Sequence, residues 1–133
     1  MTIMAMSIAD NATSLSVTGG TAMSYTPDGQ SVTNGIHVAA NAVTDFRVRP
    51  HITFKNKNPG RRADNTFSRG ERTIVVTEPY LHTDGVVYYV TYEIKCLYSP
   101  VIPAANLKNA RYKSAQVLFD ADLENFNTVG DIS

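Results

Sequence analysis

Residues 86–98 read VVYYVTYEIKCLY, and this stretch decides the fold. Valine, tyrosine, isoleucine and cysteine at the even positions alternate with a more polar set at the odd positions, and period two is the pattern of a half-buried β-strand. At ~3.3 Å per residue such a strand is ~40 Å long. The stretch therefore predicts one long strand of an antiparallel sheet.

The segment at residues 46–57 alternates in the same way. Its apolar positions predict a buried side, and Pro50, which lacks a ladder donor, predicts an edge or a bulge near the middle of this strand. A further strand is predicted at residues 72–77, ended by Glu78-Pro79, and Asp84-Gly85 marks the next turn. The side opposite the apolar one carries the set Arg47, Arg49, His51, Thr53, Lys55 and Lys57.

Together with the two ends of the chain, these strands predict a fold of the α+β class. Short strands at residues 14–17 and 21–25 flank Gly19-Gly20 as a hairpin, and a third strand covers residues 36–40. Pro100 and Pro103 end the sheet, and helical spacing at 104–127 predicts one long helix or two kinked around Asp120. We expect one domain over residues 1–133, with residues 1–10 flexible, hairpin and sheet at 14–98, and helix at 103–127.

Composition narrows the class. The 133 residues are 43% hydrophobic and 18% charged, which is ordinary for a soluble globular domain. No apolar run approaches the ~18 residues of a membrane span, and the N-terminus does not resemble a signal peptide. The single cysteine excludes an internal disulfide and a multi-cysteine zinc site, so packing or assembly must stabilise the fold.

A net charge of zero hides a strong segregation, because all 12 lysines and arginines lie between Arg47 and Lys113. From Arg47 to Arg72 there are eight basic residues against two acidic ones, whereas both ends of the chain are acidic or neutral. A local excess of this kind is typical of a surface that binds a polyanion.

The predicted sheet is too wide for the predicted helix to cover. Its strands span ~15–20 Å at ~4.8 Å per strand, whereas one helix is only ~10 Å across. A partner's helix would cover the remaining apolar face, and pairing the sheet edges across a two-fold axis would remove the exposed edge strand. We therefore expect an obligate, interlocked homodimer with one continuous sheet.

In the order of its predicted elements and in their residue patterns, the chain resembles the coat protein of a small single-stranded RNA bacteriophage of the levivirus type, over residues 8–133. SLSVTGGTA at 14–22 resembles the family's N-terminal hairpin, residues 86–98 its long final strand, and AQVLFDAD at 115–122 its helical end. The resemblance implies dimers that build an icosahedral shell in the virion, made in the cytoplasm of a bacterial host. The sheet would line the interior, helices would lie outside, and loops at 58–69 and 78–85 would join dimers.

The resemblance also implies that the interior face binds the single-stranded RNA genome, including an RNA hairpin that acts as a translational operator. By residue type this adds Thr73, Thr77, Tyr89, Thr91 and Lys95 to the basic set on residues 47–57. Basic side chains neutralise phosphates, and a tyrosine stacks on a base for ~1–3 kcal/mol. A merely solvated sheet face accounts for the spacing equally well.

No catalytic motif, metal-ligand spacing or cofactor motif is visible, so we expect a protein that is not an enzyme and needs neither metal nor cofactor. Cys96 falls among apolar neighbours, which predicts a core thiol. Two rivals to the capsid subunit stay open. One is a single-stranded nucleic-acid-binding dimer that forms no shell, and the other is a small-molecule enzyme or ligand-binding dimer.

Overall fold

The computed structural model of the chain describes residues 7–119 and 124–130. Five strands form one antiparallel sheet in chain order: β1 Thr26–Pro27, β2 Gly35–Ala39, β3 His51–Lys57, β4 Gly70–Leu81 and β5 Val87–Tyr98. Two helices follow, α1 Ala104–Phe119 and α2 Glu124–Val129. The predicted α+β class, with a meander sheet and C-terminal helices, is confirmed. The kink predicted around Asp120 and the first six residues of the predicted flexible leader lie outside the described residues.

The described residues form two compact units, one of residues 20–101 and the other of residues 7–19 together with 102–119 and 124–130. The first unit contains the whole sheet, and α1 and α2 belong to the second. The expectation of a single domain, like that of an interlocked homodimer, stays a prediction.

Strand register gives the sheet two distinct faces. Strands β2 to β5 pair without a break, and every pair joins two odd-numbered or two even-numbered residues, such as Thr53 with Val75 and Val75 with Glu93. Directly opposed residues point to the same side of a sheet. The odd-numbered residues of β2–β5 therefore form one side, here the polar face, and the even-numbered residues form the other, here the apolar face.

The strand predicted from residue 46 begins only at His51. Phe46–Val48 form a short 3-10 helix instead, because the Asp45 side chain accepts a hydrogen bond from the Arg47 backbone N–H at 3.1 Å and so caps the turn. The alternation of residues 46–50 is thus overridden by a local side-chain cap, and Pro50 precedes the strand rather than interrupting it.

The prediction that Glu78-Pro79 ends its strand is wrong, since β4 continues to Leu81. Proline is tolerated where its missing N–H would have no partner. Odd residues of β4 turn their backbone groups toward β3, and β3 starts at His51, which pairs with Thr77. At Pro79 no residue of β3 remains to accept a hydrogen bond, so the ladder with β5 continues undisturbed.

The hairpin predicted around Gly19-Gly20 does not form a pair of strands. Both glycines have positive φ, 78° and 72°, as a tight hairpin turn requires. Residues 14–18 and 21–25, however, form no strand, and the first strand is the two-residue β1. Leu15, Val17 and Met23 in these segments are exposed, so apolar burial does not support a ladder there.

Few side chains of the described residues are buried. Ala39, Ala40 and Tyr98 are the buried hydrophobic residues among those described, and none of the large side chains described is fully enclosed. On the apolar face Ile94 is 40% exposed and Tyr92 45%. The prediction of a core thiol is wrong for the single chain, because Cys96 lies on this open face and is exposed.

In the helical unit, side chains of α1 hold residues 9–11 as a strap along the helix. Gln116 accepts from the Ala9 N–H at 2.8 Å and donates to the Ala9 carbonyl, and Asn109 accepts from the Asn11 N–H at 2.9 Å. The Asp10 carboxylate contacts the Lys113 ammonium at 2.7 Å and accepts from Asn109 at 3.0 Å. Asp10 is thus the one residue of the strap whose charge contributes to the attachment.

Acidification should loosen this strap. The Lys113 hydrogen bond, followed by that from Asn109, lowers the pKa of Asp10 from its ordinary value of 3.8. A lowered pKa means that the contribution is complete above pH 3.8 and is lost as the pH falls through the folded-state value. Hydrogen exchange at Ala9 and Asn11, corrected for its intrinsic pH dependence, should accelerate below about pH 4. In Asp10→Asn the corrected rates should not change with pH, and equal behaviour of both proteins would contradict the assignment.

Candidate RNA-binding face

The polar face brings together nine of the eleven residues that the sequence assigned to RNA. Register places them on three adjacent strands, with Lys55 opposite Thr73, Thr73 opposite Lys95, and His51 opposite Thr77. The nine are His51, Thr53, Lys55, Lys57, Thr73, Thr77, Tyr89, Thr91 and Lys95.

Arg47 and Arg49 precede β3 and serve the loop around them. The guanidinium of Arg47 forms an ion pair with Asp45 at 2.9 Å, which lowers the pKa of Asp45 and raises that of Arg47. Arg49 donates twice to the Val43 carbonyl, at 3.0 and 2.7 Å. Both cations are therefore engaged in local contacts rather than aligned with the lysines of the polar face.

The lysines of the polar face differ in their surroundings. The Lys95 ammonium lies 3.3 Å from a Glu93 carboxylate oxygen and 3.7 Å from one of Glu71. Among the described residues, Lys55 and Lys57 form no ion pair. Lys55 and Lys57 are thus the more available cations for a phosphate, whereas two carboxylates already compensate Lys95.

Sequence reasoning omitted the acidic members of this face. Glu93 lies between Thr91 and Lys95 in the alternation and could have been found from the same period. Glu71 lies opposite Lys57, a position that only the β3–β4 register reveals. With both glutamates included, the polar face carries alternating charges rather than a uniformly basic surface.

A second omission is a histidine pair at the β2 side of the polar face. His37 is 8% exposed, its Nδ1 lies 2.9 Å from the Asp28 carboxylate, and its ring centroid is 5.0 Å from that of His51. The His37 hydrogen bond is the main cause that lowers the pKa of Asp28. No spacing in the sequence predicts this contact, because it depends on the pairing of β2 with β3.

Exposure separates the remaining candidates. Tyr89 is 58% exposed, so its ring is accessible to a base. Thr73 and Thr77 are only 8% and 9% exposed, because they lie on the inner strand β4 between neighbours on both sides. The accessible residues of the face therefore lie on β3 and β5, and these two threonines form its floor.

Clusters that could hold a metal ion and helices that could span a membrane are both absent from the described part of the chain. Within residues 7–119 and 124–130 no three histidine, cysteine, aspartate or glutamate side chains are grouped so that they could hold a metal ion. The helices in the same ranges are too short or too polar to cross a membrane.

Comparison with known proteins identifies the fold. Neither a protein-family model nor a curated protein matches the sequence. Among solved structures, the virus-like particle of bacteriophage GQ-907 matches with a TM-score of 0.91 and 33% sequence identity, covering 99% of this chain and 100% of that chain. The virus-like particle of bacteriophage AVE019 has the same fold at 14% identity, with a TM-score of 0.70 over 98% of this chain and 99% of that one. This chain belongs to the coat proteins of small single-stranded RNA bacteriophages of the levivirus type.

Proposed function

We propose that the chain dimerises, that its dimers assemble into an icosahedral shell, and that the shell packages single-stranded RNA against the polar face of the sheet. The observation that carries this proposal is the register of β3, β4 and β5. It separates accessible lysines and a tyrosine on one face from an open apolar surface on the other. One face then serves a polyanion and the other serves a second copy of the chain.

Dimerisation is supported by how little of the chain is buried. Helix α1 has no buried residue, and the apolar face leaves Ile36, Phe54 and Ile94 exposed by 38–47%. Such a surface is favourable to remove from water at ~25 cal/mol per Å². We propose that helices and sheet of two copies cover each other's apolar surfaces, and that the free edges of β5 join the sheets. Equilibrium sedimentation that shows a stable folded monomer at micromolar concentration would contradict this.

Contacts between dimers are proposed for the loop between β3 and β4. This loop has a defined shape, since Arg61 and Phe67 form an isolated bridge and Ser68 N–H donates to the Gly60 carbonyl at 2.7 Å. Phe67 at its end is 51% exposed. The second loop expected to join dimers, residues 78–85, is shorter than predicted because β4 includes residues 78–81.

RNA binding is proposed to depend on Lys55 and Lys57, with Tyr89 stacking on a base. A lysine that contacts phosphate releases a counterion, so its removal weakens binding to all sequences and makes the salt dependence shallower. The translational operator hairpin remains part of the proposal, since nothing in the geometry selects one RNA sequence.

Lys55→Ala should reduce the slope of log affinity against log salt by about 1. The same change at Lys57 should act in the same direction, and Lys95→Ala should have less effect because Glu93 and Glu71 already compensate that charge. Filter binding of a single-stranded RNA across a salt series measures the slopes. Lys108→Ala, on α1, is the matched control and should keep the parent slope. An unchanged slope for both β3 lysine variants would contradict the assignment of the face.

Expression followed by electron microscopy and nuclease protection tests the whole proposal. Particles that contain protected RNA are the expected result. Soluble dimers that bind RNA without particles would instead indicate a nucleic-acid-binding protein that forms no shell. Dimers free of nucleic acid would contradict both, and would indicate a ligand-binding or enzymatic dimer.

A further inference from the structure

The sheet has two edge strands, the two-residue β1 and β5, which is twelve residues long and, among the described residues, pairs only with β4. At the turn that closes this hairpin, the His82 N–H donates to the Val86 carbonyl at 3.0 Å. Hydrogen-bonded and non-hydrogen-bonded pairs alternate along an antiparallel ladder, and this ladder has no bulge. Even-numbered residues of β5 therefore turn their backbone groups toward β4, and odd-numbered residues, Glu93 and Lys95 among them, turn theirs toward the free edge.

If two copies pair along β5 across a two-fold axis, one residue must lie opposite itself at the axis. Whichever residue of β5 lies at the axis, odd-numbered residues of one copy oppose odd-numbered residues of the other. Both faces therefore stay continuous across the seam, which is the line along which the two β5 strands pair. Continuity of the faces thus leaves several registers open, and the side chains must select among them.

We infer that Ile94 lies at the two-fold axis, so that Glu93 of each copy opposes Lys95 of the other; this inference rests on the proposed dimer. A register centred on residue 93 would place two glutamates directly opposite each other, and one centred on residue 95 would oppose two lysines. Like charges directly opposite are destabilising in a sheet, and opposite charges are stabilising. Only the centre at Ile94 opposes both residues with an unlike charge.

The strongest competitor is a register centred on Tyr92. It pairs more residues of β5, but it places Glu93 opposite Thr91 and Lys95 opposite Tyr89, so neither charge gains a partner. Within the chain the Lys95 ammonium already lies 3.3 Å from Glu93, and both side chains are about half exposed. The Ile94 register turns this pair into a ring of four charges that alternate in sign at the seam.

In the Ile94 register the polar face of the dimer has no excess charge at its centre. The seam at Glu93 and Lys95 becomes electrically neutral, while Lys55 and Lys57 of each copy lie two strands away on β3. Phosphates are then held in two lateral rows rather than at the axis, and Lys95 serves dimerisation.

Disulfide cross-linking to the native Cys96 can measure the register. With Ile94 at the axis, Cys96 of one copy lies opposite Tyr92 of the other. Pairs of even residues across this edge are non-hydrogen-bonded, with Cα atoms ~4.5 Å apart, which is within the range that a disulfide spans. Tyr92→Cys should therefore form interchain disulfides under mild oxidation, and adding Cys96→Ser should abolish them. Val90→Cys and Tyr88→Cys, which report centres at residues 93 and 92, should stay reduced.

The outcomes separate a wrong register from a wrong function. Cross-linking of Tyr88→Cys or Val90→Cys to Cys96, or of Tyr92→Cys without Cys96, would overturn the Ile94 register while leaving the dimer intact. A dimer in sedimentation that cross-links at none of these positions would likewise overturn the Ile94 register. A monomer would overturn the proposed function itself.

Exchanging the charges of Glu93 and Lys95 tests their pairing across the dimer independently. Glu93→Lys alone and Lys95→Glu alone should each weaken the dimer, because each places like charges opposite at two positions. The double variant Glu93→Lys/Lys95→Glu should restore the parent dissociation constant to within a few-fold. Failure of the double variant to recover would overturn the pairing.

Discussion

Replacing Gly35 with alanine is expected to destabilise the pairing of β2 with β3 strongly. A Cβ atom at this position would meet the backbone carbonyl of Phe54, with the Phe54 carbonyl carbon at 3.0 Å and a Val32 methyl at 3.1 Å. A flexible side chain could move aside, but the Phe54 carbonyl belongs to the neighbouring strand. We expect the free energy of unfolding to fall by at least the ~1–3 kcal/mol typical of over-packed sites.

Chemical denaturation of the purified particle or dimer measures this loss. Gly60→Ala is the matched control, because its added methyl would meet only the Ser68 hydroxyl at 3.4 Å, an ordinary contact. Gly60→Ala should lie within about 0.5 kcal/mol of the parent. Equal stability of the two variants would show that the pairing of β2 with β3 tolerates an extra carbon, and that the close approach of these strands at Gly35 does not limit stability.

Ile94→Asp is expected to abolish dimers and therefore particles. Ile94 lies on the apolar face of β5, the edge strand that we propose to join two copies. The substitution would bury an uncompensated carboxylate from each copy, which costs roughly 3–5 kcal/mol, or more than a hundred-fold in the dissociation constant. Sedimentation at micromolar concentration should show monomers or aggregates in place of dimers.

The same charge on the other face provides the control. Thr53→Asp lies on the polar face of β3, away from the free edge, and should leave dimerisation intact while weakening RNA binding through like-charge repulsion. Dimers of Ile94→Asp with parent affinity would mean that the apolar face is not a dimer interface. Loss of dimers in both variants would mean that the substitutions act on folding rather than on a specific face.

Long alternation was the most reliable guide to this fold. The pattern at residues 86–98 predicts β5 to within one residue, and the side assignments of Tyr92, Lys95 and Cys96 follow from it. Period two is a property of the strand itself and needs no knowledge of neighbours. For the same reason, nine candidate residues from three strands could be placed on one face before the register was known.

Local and long-range contacts explain where sequence reasoning failed. The alternation at residues 46–50 was defeated by the Asp45 cap, which stabilises a 3-10 helix over three residues. Pro79 was predicted to end its strand because a proline lacks a backbone N–H donor. That missing donor has no effect here, since β3 begins too late to supply it with an acceptor, and the sequence of β4 does not show where β3 begins. The exposure of Cys96 could not be inferred either, since strand period assigns a side chain to a face but does not say whether that chain covers the face.

The hairpin of β4 and β5 also bears on how the chain reaches its native state. Its twelve pairs are closed by the short turn at His82, and the most distant of them, Gly70 with Tyr98, are close in sequence. Pairs of low sequence separation require little loop-closure entropy and form on the microsecond timescale of hairpins. We expect this hairpin to form during synthesis, before α1 has left the ribosome. The strand that we propose joins a second copy would then be formed while the helices of its own chain are still being made. Nascent chains on one messenger would thus be able to pair with each other.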